Sequence, residues 1–324
     1  MTTKEFNPFL FYSTKLEQLF AKAAKKDDPA MWLYKNDVRT ILFMLEALTR
    51  LHNKAFDEKV FDKWNRRFKK LEDLFGEIDN HYSLREEFKV NKKISDQVVK
   101  YFSVHVTNCV ERCNRRLKEK DWLNHKLDSF NDKLIEFSVE YNQEYMNQLK
   151  LAIIEEVDAI VDFVQKLDYK FTKLEEHIHE IRRKLRWISI YAQSLQGLIQ
   201  LKKSTERKKT IINYFTKEVM KSSFNKLPSK RKNTTVIEFD ADSFYALSWL
   251  IDELGELKDE GLKVHALRDA IFISEELTEG SAKDKAAALL GFKKTIDTNI
   301  LKRASATIKT VISEDKILDR LIIG

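Results

Sequence analysis

The chain has few residues that stop a helix. Among 324 residues there are 7 Gly and 3 Pro, where ordinary proteins carry roughly 7% and 5%. A large β-sheet needs far more turn residues than this, so sheet architectures are excluded and long helices are favoured. Pro8, Pro29 and Pro228 all fall where helices should begin or stop. Cysteine is equally scarce. Cys109 and Cys113 stand four apart in a helical pattern, which excludes a disulfide framework and reads as buried core cysteine. Together with His105 they would span two helical turns, too far for one tetrahedral metal ion. No apolar run reaches the ~18 residues of a membrane helix, and Met1 to Pro8 is polar, so a soluble protein of the reducing cytoplasm is the expectation. No nucleophile elbow, P-loop, Rossmann fingerprint or His-Glu-x-x-His is present. Neither a catalytic role nor a cofactor is therefore indicated.

What is present is helix-forming sequence with enough apolar content, 43%, to build a core. Helical spacing appears at Leu33, Ile41, Leu45 and Leu48, and again at Val99, Phe102, Val106 and Val110. Helices are expected over 9–26, 30–52, 57–75, 80–89, 95–120, 168–201, 205–224, 242–255, 261–277 and 281–312. The stretch 122–165 reads as a longer helix with a bend or break. Residues 225–235 read as an exposed loop, and Thr235 to Phe239 as a short strand or extended arm. The apolar tail Ile317 to Ile323 should dock. These elements describe an all-α protein with an N-terminal helix over 1–28 and a first helical half over 29–165. A second half follows over 166–279, with a basic insert at about 202–235, then a helical extension over 280–324.

Charge is unevenly placed. The chain carries a net +7, yet Lys170 to Lys232 holds 17 Lys or Arg against 5 Glu, a net of +12. The remainder must carry −5, so an anionic partner is expected at this stretch. Within it, His179, Arg182, Arg183 and Arg186 stand at offsets 0, 3, 4 and 7, one side of a helix. Like charges so close repel, and bound phosphates would reverse that penalty. Lys202, Lys203, Arg207 and Lys208 extend the basic surface, and Lys217, Lys221, Lys226 and Lys230 to Lys232 continue it. Arg39, Arg66, Arg67 and Lys70 are the candidates for an opposite wall in the first half. A solvated basic face is the plain alternative.

The chain also echoes itself. Leu74-Phe75-Gly76-Glu77-Ile78-Asp79 resembles Leu254-Gly255-Glu256-Leu257-Lys258-Asp259, and both glycines read as helix ends. Further upstream, Asn36-Asp37-Val38-Arg39 resembles His179-Glu180-Ile181-Arg182. Two matches in the same order suggest a duplicated helical half. On these residues the stretch from Tyr34 to Asp259 resembles the CHAD family, the conserved histidine α-helical domain. His179, Arg182 and Arg186 fit the family's His-x-x-Arg start. Arg183-Lys184-Leu185-Arg186-Trp187 also resembles its Lys-Arg-Leu-Arg-Tyr, one turn out of register. Gly255, Lys258 and Asp259 fit its helix end. In the first half, Asn36 replaces the histidine, Phe43, Met44 and Glu46 replace arginines, and Asp79-Asn80 follows Gly76. The resemblance implies two related antiparallel bundles and a non-catalytic module that binds inorganic polyphosphate or a similar polyanion along a basic groove. His179, with an ordinary pKa near 6.5, would add charge below neutral pH. The other readings are a helical scaffold for a protein partner, with the ligand lost, and non-specific nucleic-acid binding, for which no base-reading motif is present.

Overall fold

A computed structural model of the chain describes residues 7–136, 141–204, 209–231 and 234–323. Twelve α-helices follow one another among the described residues. They are α1 (Pro8–Ala23), α2 (Pro29–Lys35), α3 (Val38–Phe56), α4 (Lys59–Val90), α5 (Asp96–Glu119) and α6 (Asp128–Glu136). Then come α7 (Gln143–Lys166), α8 (Glu180–Ser194), α9 (Lys217–Lys221), α10 (Ala241–Glu275), α11 (Glu279–Leu289) and α12 (Ile296–Ile308). One parallel pair, β1 (Ile199–Lys202) with β2 (Ile237–Asp240), is the only sheet among the described residues. No helix among them is long and apolar enough to cross a membrane. The chain forms two compact units: Met1–Glu140 with Ala266–Leu289, and Tyr141–His265 with Leu290–Gly324. The first division thus falls near residue 140, where sequence suggested 165, and the helix over 279–289 belongs to the first unit.

In the first unit, local chemistry sets the helix starts. Asn7 accepts from the Phe9 N–H at 2.9 Å with Pro8 at the first helical position, and Asp28 accepts from the Met31 N–H at 3.1 Å ahead of α2. The core is aromatic. Phe9 stacks on Phe61 with centroids 5.4 Å apart, and Phe130 meets Trp64 at 4.8 Å and Phe68 at 5.3 Å. Each such ring removes roughly 150–250 Å² from water. Cys109 and Cys113 are buried and free, as spacing suggested.

Gly76 does not end a helix; α4 runs straight through it to Val90. The reason is a close approach. A Cβ at Gly76 would lie 3.2 Å from the Arg39 guanidinium, which occupies that space instead. Gly255 sits mid-helix in α10 for the same reason: a Cβ there would lie 2.9 Å from Arg182 Nε. Glycine costs a helix about 1 kcal/mol relative to alanine, and in both units that position admits an arginine.

In the second unit, several expected helices are shorter or differently made. No helix begins at Asp168, because Asp168 and Tyr169 both take left-handed backbone, at φ 47° and 54°. The chain resumes with a π-helical turn, Leu174–His179, that feeds α8. That helix stops at Ser194 rather than near 201, since Gln196 and Gly197 turn at φ 49° and 96°. At Gly197 a Cβ would strike the Ser229 carbonyl oxygen, so the position admits only glycine. The turned chain becomes β1, which pairs with β2, the strand expected from Thr235 to Phe239. The tail docks as expected. Ile317, Leu318 and Leu321 are buried, and the Ile323 N–H donates to the Glu238 carbonyl at 3.0 Å.

Candidate functional site

The basic face of α8 is present, but much of its charge is answered inside the chain. Arg182 is half-buried along Gly255, and its Nε donates to the Ile251 carbonyl at 3.2 Å. Burial pushes its pKa below the ordinary arginine value, and Asp259 and Asp252 oppose that shift. Arg183 pairs with Glu180 at 2.7 Å, and Lys184 reaches the same carboxylate at 3.6 Å. Arg186 is half-buried and has partners within the chain. His179 lies 4.0 Å from Glu175. Its pKa is lowered, first by burial and then by Lys258, Arg183 and Arg182, while Glu175 opposes. The expected gain of charge just below neutral pH is therefore corrected: the imidazole stays neutral further into acid.

Of the flanking cations, Lys202 reaches across the strand pair to Glu238 at 2.7 Å, and Lys203 is exposed. Arg207 and Lys208 lie outside the described residues. Arg39, Arg66, Arg67 and Lys70 belong to the first unit. There Arg39 is held by Glu72 at 2.7 Å and by Asp79, Arg66 by Asp62 at 2.6 Å, and Arg67 stacks over Trp64 at 4.5 Å. Lys70 is exposed.

The segment 209–231 behaves differently from the charge-only insert that the sequence suggested. It is anchored at several points. A 3-10 turn, Lys209–Tyr214, buries Ile211 and Tyr214, and Val219 of α9 is buried as well. The Tyr214 hydroxyl donates to the buried Asp315, and the Thr210 hydroxyl donates to the same carboxylate at 2.7 Å. Buried Asn225 donates to the Val219 carbonyl at 2.8 Å and to Ser248 Oγ at 2.9 Å. Gln193 donates to the Phe224 carbonyl at 2.6 Å, and Gln200 to that of Pro228 at 2.9 Å. With its apolar side tied down, the segment turns Lys209, Lys217, Lys221, Lys226 and Lys230 outward, all exposed. None of these five makes an ion pair with a described residue, although Glu218 lies close enough to feel Lys221. Its six Lys or Arg against one Glu give a net of +5.

The structure thus keeps the charge asymmetry but moves its accessible part. The α8 residues have the spacing and largely internal partners. The lysines of 209–231 make no ion pair with a described residue, and apart from Lys217 and Lys221, four apart on α9, they share no helical spacing, so local net charge is the sequence signal that marks them. Among the described residues no group of three or more His, Cys, Asp or Glu could hold a metal ion. No family model, curated protein or solved structure matches this chain.

Proposed function

We propose that the chain is a non-catalytic, CHAD-like helical module whose second unit binds a phosphate-rich polyanion, with inorganic polyphosphate as the type ligand. The observation that carries this reading is the anchored segment 209–231, which holds five exposed lysines on a fixed backbone. A fixed backbone lowers the ordering cost that a mobile basic tail would incur on binding. Lysine suits a long flexible chain of phosphates, because a point charge needs no single geometry. Lys202, Lys203 and Arg183 lie on the same unit and would extend the contact, with neighbouring acids competing for Lys202 and Arg183. The recurrence of an arginine against a mid-helix glycine in both units supports two related halves. The internal pairing on α8 favours the second reading, a protein-binding scaffold, at that face alone.

Lys217→Ala/Lys221→Ala/Lys226→Ala is expected to weaken long-chain polyphosphate about tenfold or more near 0.1 M salt. It should also flatten the dependence of log K on log salt by roughly 2 units, by analogy with single-stranded nucleic acids. Arg182→Ala is expected to destabilise the second unit and to leave affinity little changed in the folded fraction. Equal affinity of the triple variant and the wild type in calorimetry would remove segment 209–231 from the site.

A further inference from the structure

The first unit also carries a group of cations that comes from three separate segments. Two pairs of residues four apart come from different helices: Lys63 and Arg67 on α4, and Arg116 and Lys120 at the end of α5. A fifth, Lys126, lies in the link to α6. Trp122 brings that link in. It is buried with its ring 6.3 Å from Trp64, 6.2 Å from Phe68 and 6.0 Å from Phe20. The chain turns just before it at Asp121, φ 53°, and the Trp122 and Lys126 N–H groups donate to the Leu117 and Asp121 carbonyls at 3.0 and 3.1 Å. The indole thus packs the link that carries half-buried Lys126 against Trp64, the ring that Arg67 covers at 4.5 Å and that follows Lys63 in sequence.

Electrostatics agree with this placement. Burial lowers the pKa of Lys126 most, and Arg67, Lys120, Lys63 and Arg116 lower it further. None of the five makes an ion pair with a described residue. Of the acids nearest these cations in sequence, Asp62 pairs with Arg66 at 2.6 Å and Asp128 with His125 at 3.1 Å, Asp121 accepts only from the neutral Asn124 amide at 2.9 Å, and Glu119 makes no ion pair with a described residue, so five cations have at most two uncommitted carboxylates among these neighbours. The α5 dipole favours cations at its C-terminal end, which accounts for Arg116 and Lys120 but offers nothing to Lys63, Arg67 or Lys126. Five cations from three segments, gathered around a buried tryptophan, therefore repel one another in the free protein.

We propose that Lys63, Arg67, Arg116, Lys120 and Lys126 form a second anion site, in the first unit, for a compact ligand carrying adjacent phosphate groups. Such a ligand places several negative charges within a few ångströms, which one carboxylate or one phosphate cannot do. The site is independent of segment 209–231, and its failure would leave the proposed function standing.

The test uses the full chain and tripolyphosphate, with long-chain polyphosphate as the second arm. Lys63→Met/Lys126→Met keeps the aliphatic stems and removes two charges. Tripolyphosphate should bind the wild type with measurable heat and raise its Tm. The double methionine variant should lose at least tenfold in affinity, while its own Tm without ligand stays level or rises, because repulsion has been removed. In the Lys217→Ala/Lys221→Ala/Lys226→Ala background, which takes the second-unit lysines out of the titration, tripolyphosphate should still bind, and adding Lys63→Met/Lys126→Met should abolish that remaining heat. Three results would each overturn the site: no heat with the wild type, unchanged tripolyphosphate affinity in the methionine variant, or a fall of several degrees in that variant's ligand-free Tm. A loss confined to the long-chain arm in the alanine variant bears only on the second unit.

Discussion

Arg39→Met is expected to cost the first unit about 3 kcal/mol or more at pH 8, because it strands a buried carboxylate. Glu72 is buried on α4, and its charge is met by Arg39 Nε and Nη2 at 2.9 and 2.7 Å. Glu46, also buried, lies close enough for the Glu72 charge to raise its proton affinity. Removing one partner of a buried pair typically costs 3–5 kcal/mol, since the other is left uncompensated. Arg39 is about a quarter exposed, which places the expectation at the lower end. Burial already raises the Glu72 pKa and Arg39 holds it down, so without the arginine the carboxyl takes up a proton more readily. The deficit should therefore be largest at pH 8 and shrink toward pH 5, and Arg39→Met/Glu72→Gln should recover most of it. Urea unfolding at the two pH values checks this, and a single variant within about 1 kcal/mol of wild type at pH 8 would contradict it.

The second large effect is the response of stability to pH. Glu46 has its pKa raised to about 8, by burial first and then by Glu72. The folded state therefore holds a proton that the unfolded chain releases near 4.5. The contribution is fully present below about 4.5 and is lost as pH rises through about 8. A gap of this size corresponds to roughly 4–5 kcal/mol at 1.36 kcal/mol per unit. His52 acts with the opposite sign. It is fully buried, its Nδ1–H donates to the Leu48 carbonyl at 2.7 Å, and desolvation lowers its pKa to about 3. Its contribution is present above the unfolded value near 6.5 and is lost as pH falls toward 3. Between about 4.5 and 6.5 the two slopes oppose each other, and above 6.5 only the Glu46 loss remains of the two. Urea midpoints should then fall from pH 6.5 to 8.5 in the wild type, and Glu46→Gln should remove most of that slope. An equal slope in the variant would show that Glu46 is already ionised at neutral pH.

How much of this was legible in the chain depends on the range of the interaction. The period that carries Leu45 and Leu48 on α3 is local and readable, as is the buried run Phe102, Val106 and Val110 on α5. Turns made by non-glycine residues in left-handed backbone, such as Asp168, Tyr169 and Asp121, were not. At Gly76 and Gly255, a glycine that stops a helix and one that admits an arginine look alike in sequence, because the difference lies in the partner helix. Pairing on α8 was half visible. Glu180 sits three residues from Arg183, but Asp252 and Asp259 reach Arg182 from about 70 residues away. The α4 and α5 cations had clear helical spacing, yet only the docking of Trp122 brings Lys126 to them.

On the proposed reading, the second unit binds a chain of phosphates through lysines held out on an anchored segment. The most direct measurement is a calorimetric titration of the wild type with long-chain polyphosphate at several salt concentrations. Measurable heat is expected, with log K falling linearly against log salt by roughly 0.7 for each lysine engaged, by analogy with single-stranded nucleic acids. An absence of heat at the lowest salt, or an affinity indifferent to salt, would contradict it.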